Sequence, residues 1–297
     1  MKFINKIKSL LRIVVTTKNW PPLLFKSRGV AHFRSGLVLR FSDRKVFMDY
    51  VNLFRECPSA QIEGTVLKFL YTYKDKKRLV FFDFGSWKPN MIGEIFLRDE
   101  YLNYIKEEML NNKTVVDVGA SFGETAVFFA LHGASKVYAI EPVKSMYDLI
   151  EKNVKLNNLA GVCIPVFGAL GGWSGNFIDD KNSKKIFHEN IFTELKNTPI
   201  FTLESFVEKN GIQDAILKLD CEGYEKDIVL NTSRDTLRKF EYIVAEYHYG
   251  FDEIVKKLED FGFVVSREPK SLHFDKGRSG EFKNLSTGFI FAERSKK

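Results

Sequence analysis

The chain has 297 residues, 44% of them hydrophobic and 28% charged, and a formal net charge of +7. These values are ordinary for a soluble globular protein and allow one large domain or two small ones. Three widely spaced cysteines, Cys57, Cys163 and Cys221, argue against a disulfide framework and a zinc site, and predict a reducing, cytoplasmic compartment.

The positive charge is concentrated in the first 45 residues, where eleven Lys and Arg face a single acidic residue, Asp43. Over residues 3–15 apolar side chains recur at helical spacing, which predicts a basic amphipathic helix. Such a helix packs on its own domain or makes a peripheral contact with an anionic membrane. Arg12 interrupts the only early apolar stretch, so no signal peptide is expected, and no run approaches the ~18 residues of a membrane span.

The segments before residue 110 predict a mixed α+β extension, residues 1–110. Residues 36–41 alternate as a strand does and lead through a turn into a helix. Residues 64–73 and 78–84 predict two strands joined by a charged turn, and a helical lead-in ends at Leu110. The aromatic residues here lack interleaved basic side chains, which favours a core over a surface that stacks on nucleic-acid bases.

From residue 114 strands and helices alternate, which predicts a parallel sheet in a domain of residues 111–297. The last two strands have no helix between them and should pair antiparallel, so the sheet is predicted as seven-stranded and mostly parallel with its last strand reversed. A polar segment, residues 171–200, predicts a hairpin or lid over the site. The predicted strands are 114–118, 136–140, 162–167, 215–219, 241–246, 262–267 and 288–293.

The turn after the first of these strands predicts a nucleotide-like cofactor. Gly119 and Gly123 stand in a strand–turn–helix segment, and Glu141 ends the next strand, where such folds bind a ribose hydroxyl pair. A third glycine, which a dinucleotide would require, is missing. Asp117 instead ends the strand, where a carboxylate can receive the ammonium or sulfonium of an amino-acid-bearing cofactor. This favours S-adenosylmethionine over NAD.

Several motifs resemble the FkbM-type methyltransferase family over about residues 93–265. The most specific is Lys218-Leu219-Asp220-Cys221-Glu222-Gly223-Tyr224-Glu225. Others are Asp117-Val118-Gly119-Ala120-Ser121-Phe122-Gly123, Ile140-Glu141-Pro142, Asn153, Asn157-Asn158 and Ala245-Glu246-Tyr247-His248. Ser121 stands where the family usually has Asn. The resemblance implies a Rossmann-like class I methyltransferase fold that binds S-adenosylmethionine. The cofactor-binding residues that it implies are Asp117, Gly119, Ala120, Ser121, Phe122, Gly123, Glu141, Pro142 and Ala169.

Asp220, Glu222 and His248 are the candidate catalytic residues, because they follow neighbouring strands at the edge where α/β sheets bind ligands. Asp220 or His248 would accept a proton from a hydroxyl, and Lys218 would hold the carboxylates. Alternatively, Asp220, Glu222, His248 and Glu246 surround a divalent metal, although caps of the following helix explain the carboxylates equally well, and no metal ligand is assigned.

The leading hypothesis is O-methylation of a hydroxyl on a sugar, a glycan or a lipid-linked saccharide. An RNA methyltransferase is the alternative enzyme, and the acidic balance after residue 45 disfavours it; DNA is not expected as a partner. A third hypothesis is a non-catalytic binding module that kept the fold. The intact Asp117, Glu141 and Asp220 argue against it.

Overall fold

The computed structural model describes residues 10–86, 90–172, 174–176, 195, 198–248, 250–273 and 285–295. The chain divides into two compact units, Met1–Glu100 and Tyr101–Lys297. Residues 101–110, which the sequence analysis placed in the N-terminal extension, therefore group with the second unit. Among the described residues, no helix is long and apolar enough to cross a membrane.

The first unit contains a helical segment (residues 10–16), a β-hairpin and a three-stranded antiparallel sheet. Asp43 begins the longest helix because its side chain accepts a hydrogen bond from the amide of Lys45. Most of the aromatic residues of the sheet are buried, as predicted for a core. The hairpin of the first unit consists of β1 (Gly29–His32) and β2 (Val38–Phe41), and its three-stranded sheet consists of β3 (Gln61–Glu63), β4 (Val66–Tyr73) and β5 (Lys76–Asp83). Its further helices are α1 (Trp20–Leu23), α2 (Arg44–Glu56), α3 (Asn90–Ile92) and the π-helix Gly93–Leu97.

Only the end of the predicted basic helix lies within the described residues, since residues 1–9 are outside them. There Ile13 is fully buried, whereas Leu11 is 57% and Val15 58% exposed. The buried side thus runs through Ile13 and Thr17, whereas Leu11, one of the apolar side chains within the predicted helix 3–15, lies on the other side. The predicted membrane contact stays a prediction.

The second unit is built on one seven-stranded sheet. The strands of the second unit, in chain order, are β6 (Thr114–Val118), β7 (Lys136–Glu141), β8 (Cys163–Phe167), β9 (Ala169–Leu170), β10 (Gly175–Asn176), β11 (Pro199–Phe201), β12 (Ala215–Leu219), β13 (Phe240–Tyr247), β14 (Phe263–His273) and β15 (Leu285–Arg294). Its helices are the 3-10 turn Glu100–Asn103, α4 (Glu107–Leu110), α5 (Glu124–Leu131), α6 (Lys144–Leu156), α7 (Leu203–Lys209), α8 (Glu225–Asn231), α9 (Arg234–Leu237) and α10 (Asp252–Asp260).

The strand order of the large sheet is β14-β15-β13-β12-β6-β7-β8. The strands from β13 to β8 pair in parallel, and β15 is antiparallel to both of its neighbours. This confirms the predicted seven-stranded, mostly parallel sheet with its last strand reversed, a Rossmann-like class I methyltransferase fold. Most of the predicted 171–200 segment lies outside the described residues. Its described part contributes β10 and β11 to a small sheet with β9.

The central strands are buried on both faces, which explains their nearly continuous apolar runs. All five residues of β12 are buried, including Lys218, and β6 is buried except at its first residue. Because β6, β7, β12 and β13 are parallel neighbours, their carboxyl ends meet at one edge of the sheet. The candidate site residues follow those ends.

Candidate active site

The turn after β6 has a backbone that ordinary residues rarely adopt. Gly119 has φ +75°, Ser121 +50° and Gly123 +91°. The amides of Gly119 and Ala120 both donate to the carbonyl of Ile140 at the end of β7. The turn is therefore fixed to the neighbouring strand before α5 begins.

Glu141 joins the two turns at this edge. Its Oε2 accepts from the amide of Ser121 and its Oε1 from the amide of Val143, both at 2.9 Å. Burial raises the pKa of Glu141 to about 7, although these two hydrogen bonds lower it. Each carboxylate oxygen has a second lone pair, so Glu141 can still accept from the hydroxyl pair of a ribose.

Asp117 lies at the end of β6 and is fully buried. Its Oδ2 accepts from the hydroxyl of Thr125 at 2.5 Å, and its Oδ1 lies 3.0 Å from Lys218 Nζ. Lys218 also donates to the carbonyl of Gly119 at 2.8 Å. Burial lowers the pKa of Lys218, but Asp117 and Asp220 outweigh it and raise that pKa, so the ammonium stays charged. Asp117 therefore already has a cation from the protein.

Glu124 begins α5, a helix in which every other residue is apolar or Thr125. Its side chain is almost completely buried, and its Oε2 has no hydrogen-bond partner among the described residues. Burial is the main cause that raises the pKa of Glu124 to about 8; the hydrogen bond to its own backbone amide and the charge of Lys218 oppose this rise, and the charges of Asp117 and Glu141 add to it.

The turns after β6 and β12 touch each other. A methyl group on Gly119 would lie 1.9 Å from the carbonyl oxygen of Asp220, and the amide of Asp220 donates to the carbonyl of Val118. Only glycine fits at 119, and this close approach places the predicted cofactor turn against the predicted catalytic turn.

His248 follows β13 and reaches the start of α8. Its Nδ1 lies 3.2 Å from Oε1 of Glu225, and its Nε2 lies 3.8 Å from Oε2 of Glu222. Burial lowers the pKa of His248, but the hydrogen bond and charge of Glu225, with the charges of Asp220 and Glu222, raise it to about 9. Glu222 itself is 72% exposed at its side chain, so its contact with the imidazole is weak.

Glu225 also holds the turn that precedes it. Its Oε1 accepts from the amides of Cys221 and Gly223, at 2.7 and 3.2 Å. Burial raises the pKa of Glu225, but the interaction with His248 and these amides outweighs burial and lowers it. The carboxylate is therefore ionised and fixed in place.

A divalent metal has one plausible location among the described residues. Ligand atoms of Asp220, Glu225 and His248 lie within 4.8 Å of one another. This set differs from the one expected from the sequence, because Glu225 takes the place of Glu222 and Glu246. The Glu225 oxygen that faces His248 already accepts three hydrogen bonds, so the contacts that are present explain the cluster without an ion.

The remaining predicted cofactor residues lie around the same edge. Ala120 and Phe122 have fully buried side chains, and the carbonyl of Phe122 accepts from Asn153. The carbonyl of Pro142 accepts from the hydroxyl of Thr198. Ala169 begins β9, beyond the end of β8. Their roles in cofactor binding stay predictions.

Glu124 and Glu225 are not among the site residues predicted from the sequence. For Glu124 the signal was a single charged residue in an otherwise apolar helix. Glu225 belonged to the most specific motif, but its role depends on His248, which lies 23 positions further along the chain.

The FkbM methyltransferase domain matches residues 117–265, half of the chain. The chain belongs to the FkbM methyltransferase family. The match includes all of the predicted catalytic and cofactor residues.

This FkbM-family chain also resembles parts of larger proteins. It is 30% identical over 152 residues to the probable histone-arginine methyltransferase 1.4 of Arabidopsis thaliana, covering 45% of this chain and 29% of that protein. It is 33% identical over 92 residues to the histone-arginine methyltransferase CARMER of Aedes aegypti, covering 30% of this chain and 15% of that protein. The chain thus spans less than a third of these curated relatives.

Two solved structures match the chain with TM-scores below 0.5. The M. jannaschii tRNA m1G37 methyltransferase matches with a TM-score of 0.42 and 12% identity, over 98% of this chain and 69% of that chain. M. jannaschii TYW2 in complex with AdoMet matches with a TM-score of 0.40 and 17% identity, over 79% of this chain and 89% of that chain.

Proposed function

We propose that this FkbM-family chain is an S-adenosylmethionine-dependent methyltransferase that methylates a hydroxyl group on a sugar, a glycan or a lipid-linked saccharide. The direct contact between Gly119 and Asp220 is the observation that supports it most. It brings a turn suited to a cofactor against a turn that carries ionisable side chains, so a methyl donor and a base can meet there.

The residues at the edge of the sheet fit this cofactor. Gly119, Ser121 and Gly123 form a left-handed turn that keeps the backbone accessible to a ligand, and Glu141 has acceptor capacity for ribose hydroxyls. The buried carboxylates outnumber the buried cations, which suits a ligand that carries a sulfonium. The cofactor supplies a methyl group whose bond to sulfur breaks as a bond to the acceptor oxygen forms, with the bonding electron pair left on sulfur.

His248 is the base in this proposal. The base is the neutral imidazole, in which Glu225 accepts a hydrogen bond from Nδ1–H and the lone pair of Nε2 takes the proton of the acceptor hydroxyl. Because the pKa of His248 is raised to about 9, this neutral form increases as the pH rises towards 9. The imidazole carries that proton as imidazolium, which Glu225 stabilises. Asp220, on the neighbouring strand, contributes negative charge and fixes the turn through its backbone hydrogen bond to Val118.

The test is a transfer assay with radiolabelled S-adenosylmethionine against saccharides, lipid-linked saccharides, RNA and peptides. We expect label in a saccharide hydroxyl, and we expect His248→Gln to reduce turnover by about 10²–10⁴-fold, the usual contribution of a general base. S-adenosylhomocysteine should still bind to that variant. His32→Gln, at an exposed histidine of the first unit, is the matched control and should retain full turnover.

Each alternative gives a different result. Label in RNA would show that the acceptor is RNA rather than a saccharide, and would leave the cofactor assignment intact. Cofactor binding without transfer to any acceptor would favour a non-catalytic binding module. Full turnover by His248→Gln would overturn the assignment of the base and return that role to Asp220.

A further inference from the structure

The region below the cofactor turn contains more buried carboxyl groups than buried cationic groups. Asp117, Glu124 and Glu141 are 0%, 2% and 4% exposed, and Lys218 is 1% exposed. Three carboxylates thus share one ammonium, at a depth where an unpaired charge is costly. Because Asp117 pairs with Lys218, Glu124 and Glu141 have no cation of their own among the described residues, and burial raises the pKa values of both.

Two of these carboxylates have their partners within the chain. Asp117 interacts with Thr125 and Lys218, and Glu141 accepts one amide hydrogen bond at each oxygen. Among the described residues, two buried carboxylate oxygens lack a hydrogen bond, Oδ1 of Asp117 and Oε2 of Glu124. Glu124 differs because Oδ1 of Asp117 lies 3.0 Å from the ammonium of Lys218, whereas Oε2 of Glu124 has no such ion pair in the described part of the chain. Leaving such an oxygen unsatisfied costs about 1–3 kcal/mol in a folded protein.

A purely structural role does not account for Glu124. An acidic residue in the first turn of a helix interacts favourably with the helix dipole, but that interaction needs no burial. The other side chains of α5 are apolar except Thr125, so the position would also accept an apolar residue. A carboxylate that is buried, incompletely satisfied and adjacent to Gly123 is instead suited to a cationic ligand group.

We propose that Glu124 binds the α-ammonium group of the methionine part of S-adenosylmethionine. This inference rests on the proposed function. Glu141 is suited to the ribose and has a hydrogen bond at each oxygen, and Asp117 already pairs with Lys218. Within the described residues, Glu124 is therefore the carboxylate of this cluster that has neither a cation nor a hydrogen bond at both oxygens. The ammonium would give its free oxygen a charged donor, which forms a stronger hydrogen bond than a neutral one.

The test compares two ligands that differ in the amino-acid part. S-adenosylhomocysteine carries the α-ammonium, and 5′-methylthioadenosine carries the same nucleoside without it. Calorimetric titrations use the full chain, Glu124→Gln, and the control Glu208→Gln at an exposed position of α7. We expect Glu124→Gln to weaken the binding of S-adenosylhomocysteine by about 10- to 100-fold, as for loss of a charged hydrogen bond. The affinity for 5′-methylthioadenosine should not change.

The outcomes separate this inference from the proposed function. If the wild-type chain binds neither ligand, the proposed function fails. If it binds S-adenosylhomocysteine and Glu124→Gln binds it equally well, only the role of Glu124 fails. Equal weakening of the binding of both ligands would also overturn the ammonium assignment. Glu124→Asp, which keeps the charge, should retain part of the preference for S-adenosylhomocysteine over 5′-methylthioadenosine. Thermal denaturation confirms that each variant is folded.

Discussion

The imidazole of His248 hydrogen bonds the carboxylate of Glu225, with Nδ1 3.2 Å from Oε1, although the two residues belong to different elements of the fold. Glu225 also accepts from two backbone amides of the turn before α8, so it cannot move without opening that turn. The orientation of the imidazole is therefore set by the same carboxylate that closes the loop after β12. Glu225 is a positioning residue in the proposed reaction.

Replacing Glu225 should change the titration of His248. We expect Glu225→Gln to lower the imidazole pKa from about 9 towards 6.5, because the largest favourable charge is lost while burial remains. Glu222→Gln should lower it much less, since that side chain is exposed. NMR titration of the histidine ring protons measures both. Equal shifts in the two variants would contradict the assigned role of Glu225.

Adding a methyl group at Gly119 should destabilise the fold. Gly119→Ala combines φ +75° with a contact of 1.9 Å to the carbonyl of Asp220, so we expect a loss of at least about 2 kcal/mol in the free energy of unfolding. Gly161→Ala is the control, because nothing lies within 4 Å of its added methyl group. Urea denaturation compares them, and similar midpoints would show that the two turns are not in contact.

The buried ion pair between Asp117 and Lys218 should give a large coupling energy. Lys218→Met leaves Asp117 charged and unpaired, so we expect a loss of about 3–5 kcal/mol. Adding Asp117→Asn removes the uncompensated charge and should recover part of that loss. Denaturation of both single variants and the double variant completes the cycle. Strictly additive losses would mean that the two groups do not interact.

Glu124 should make stability depend on pH. Its pKa is raised from 4.5 to about 8 on folding, so its stabilising effect is complete below pH 4.5 and is lost as the pH rises towards 8. Glu124→Gln removes this loss, and we expect it to be more stable than wild type by about 1–3 kcal/mol at pH 8.5, with a smaller difference at pH 5. Thermal denaturation at both values measures it. Glu208→Gln should show no such trend, and an equal difference at both pH values would contradict the burial of Glu124.

Divalent cations should not bind tightly at Asp220, Glu225 and His248. A metal there would have to displace the hydrogen bonds that Glu225 makes to Cys221, Gly223 and His248. Titration with Mn²⁺ followed by electron paramagnetic resonance should show no saturable site, and chelator treatment should leave the melting temperature unchanged. A single site that His248→Gln abolishes would establish a metal centre instead.

The sequence alone was sufficient to predict the seven-stranded sheet, because the central strands of the sheet are short apolar runs separated by helices. The reversal of β15 was also predictable, since no helix connects it to β14. The site was only partly predictable, because its contacts join residues far apart in the chain. Lys218 meets Gly119 across 99 positions, through the pairing of β12 with β6. The burial of Glu124 was not foreseen, because acidic residues at helix starts are usually exposed.

The position of β15 has a consequence for biosynthesis. This strand lies between β13 and β14, so the edge of β13 that it covers has no partner until β15 itself has been synthesised. That edge includes Glu246 and Tyr247, directly before His248. A nascent chain therefore exposes an unpaired strand next to His248, where non-native pairing is a hazard. Pairing of β15 with β13 closes this edge and protects it.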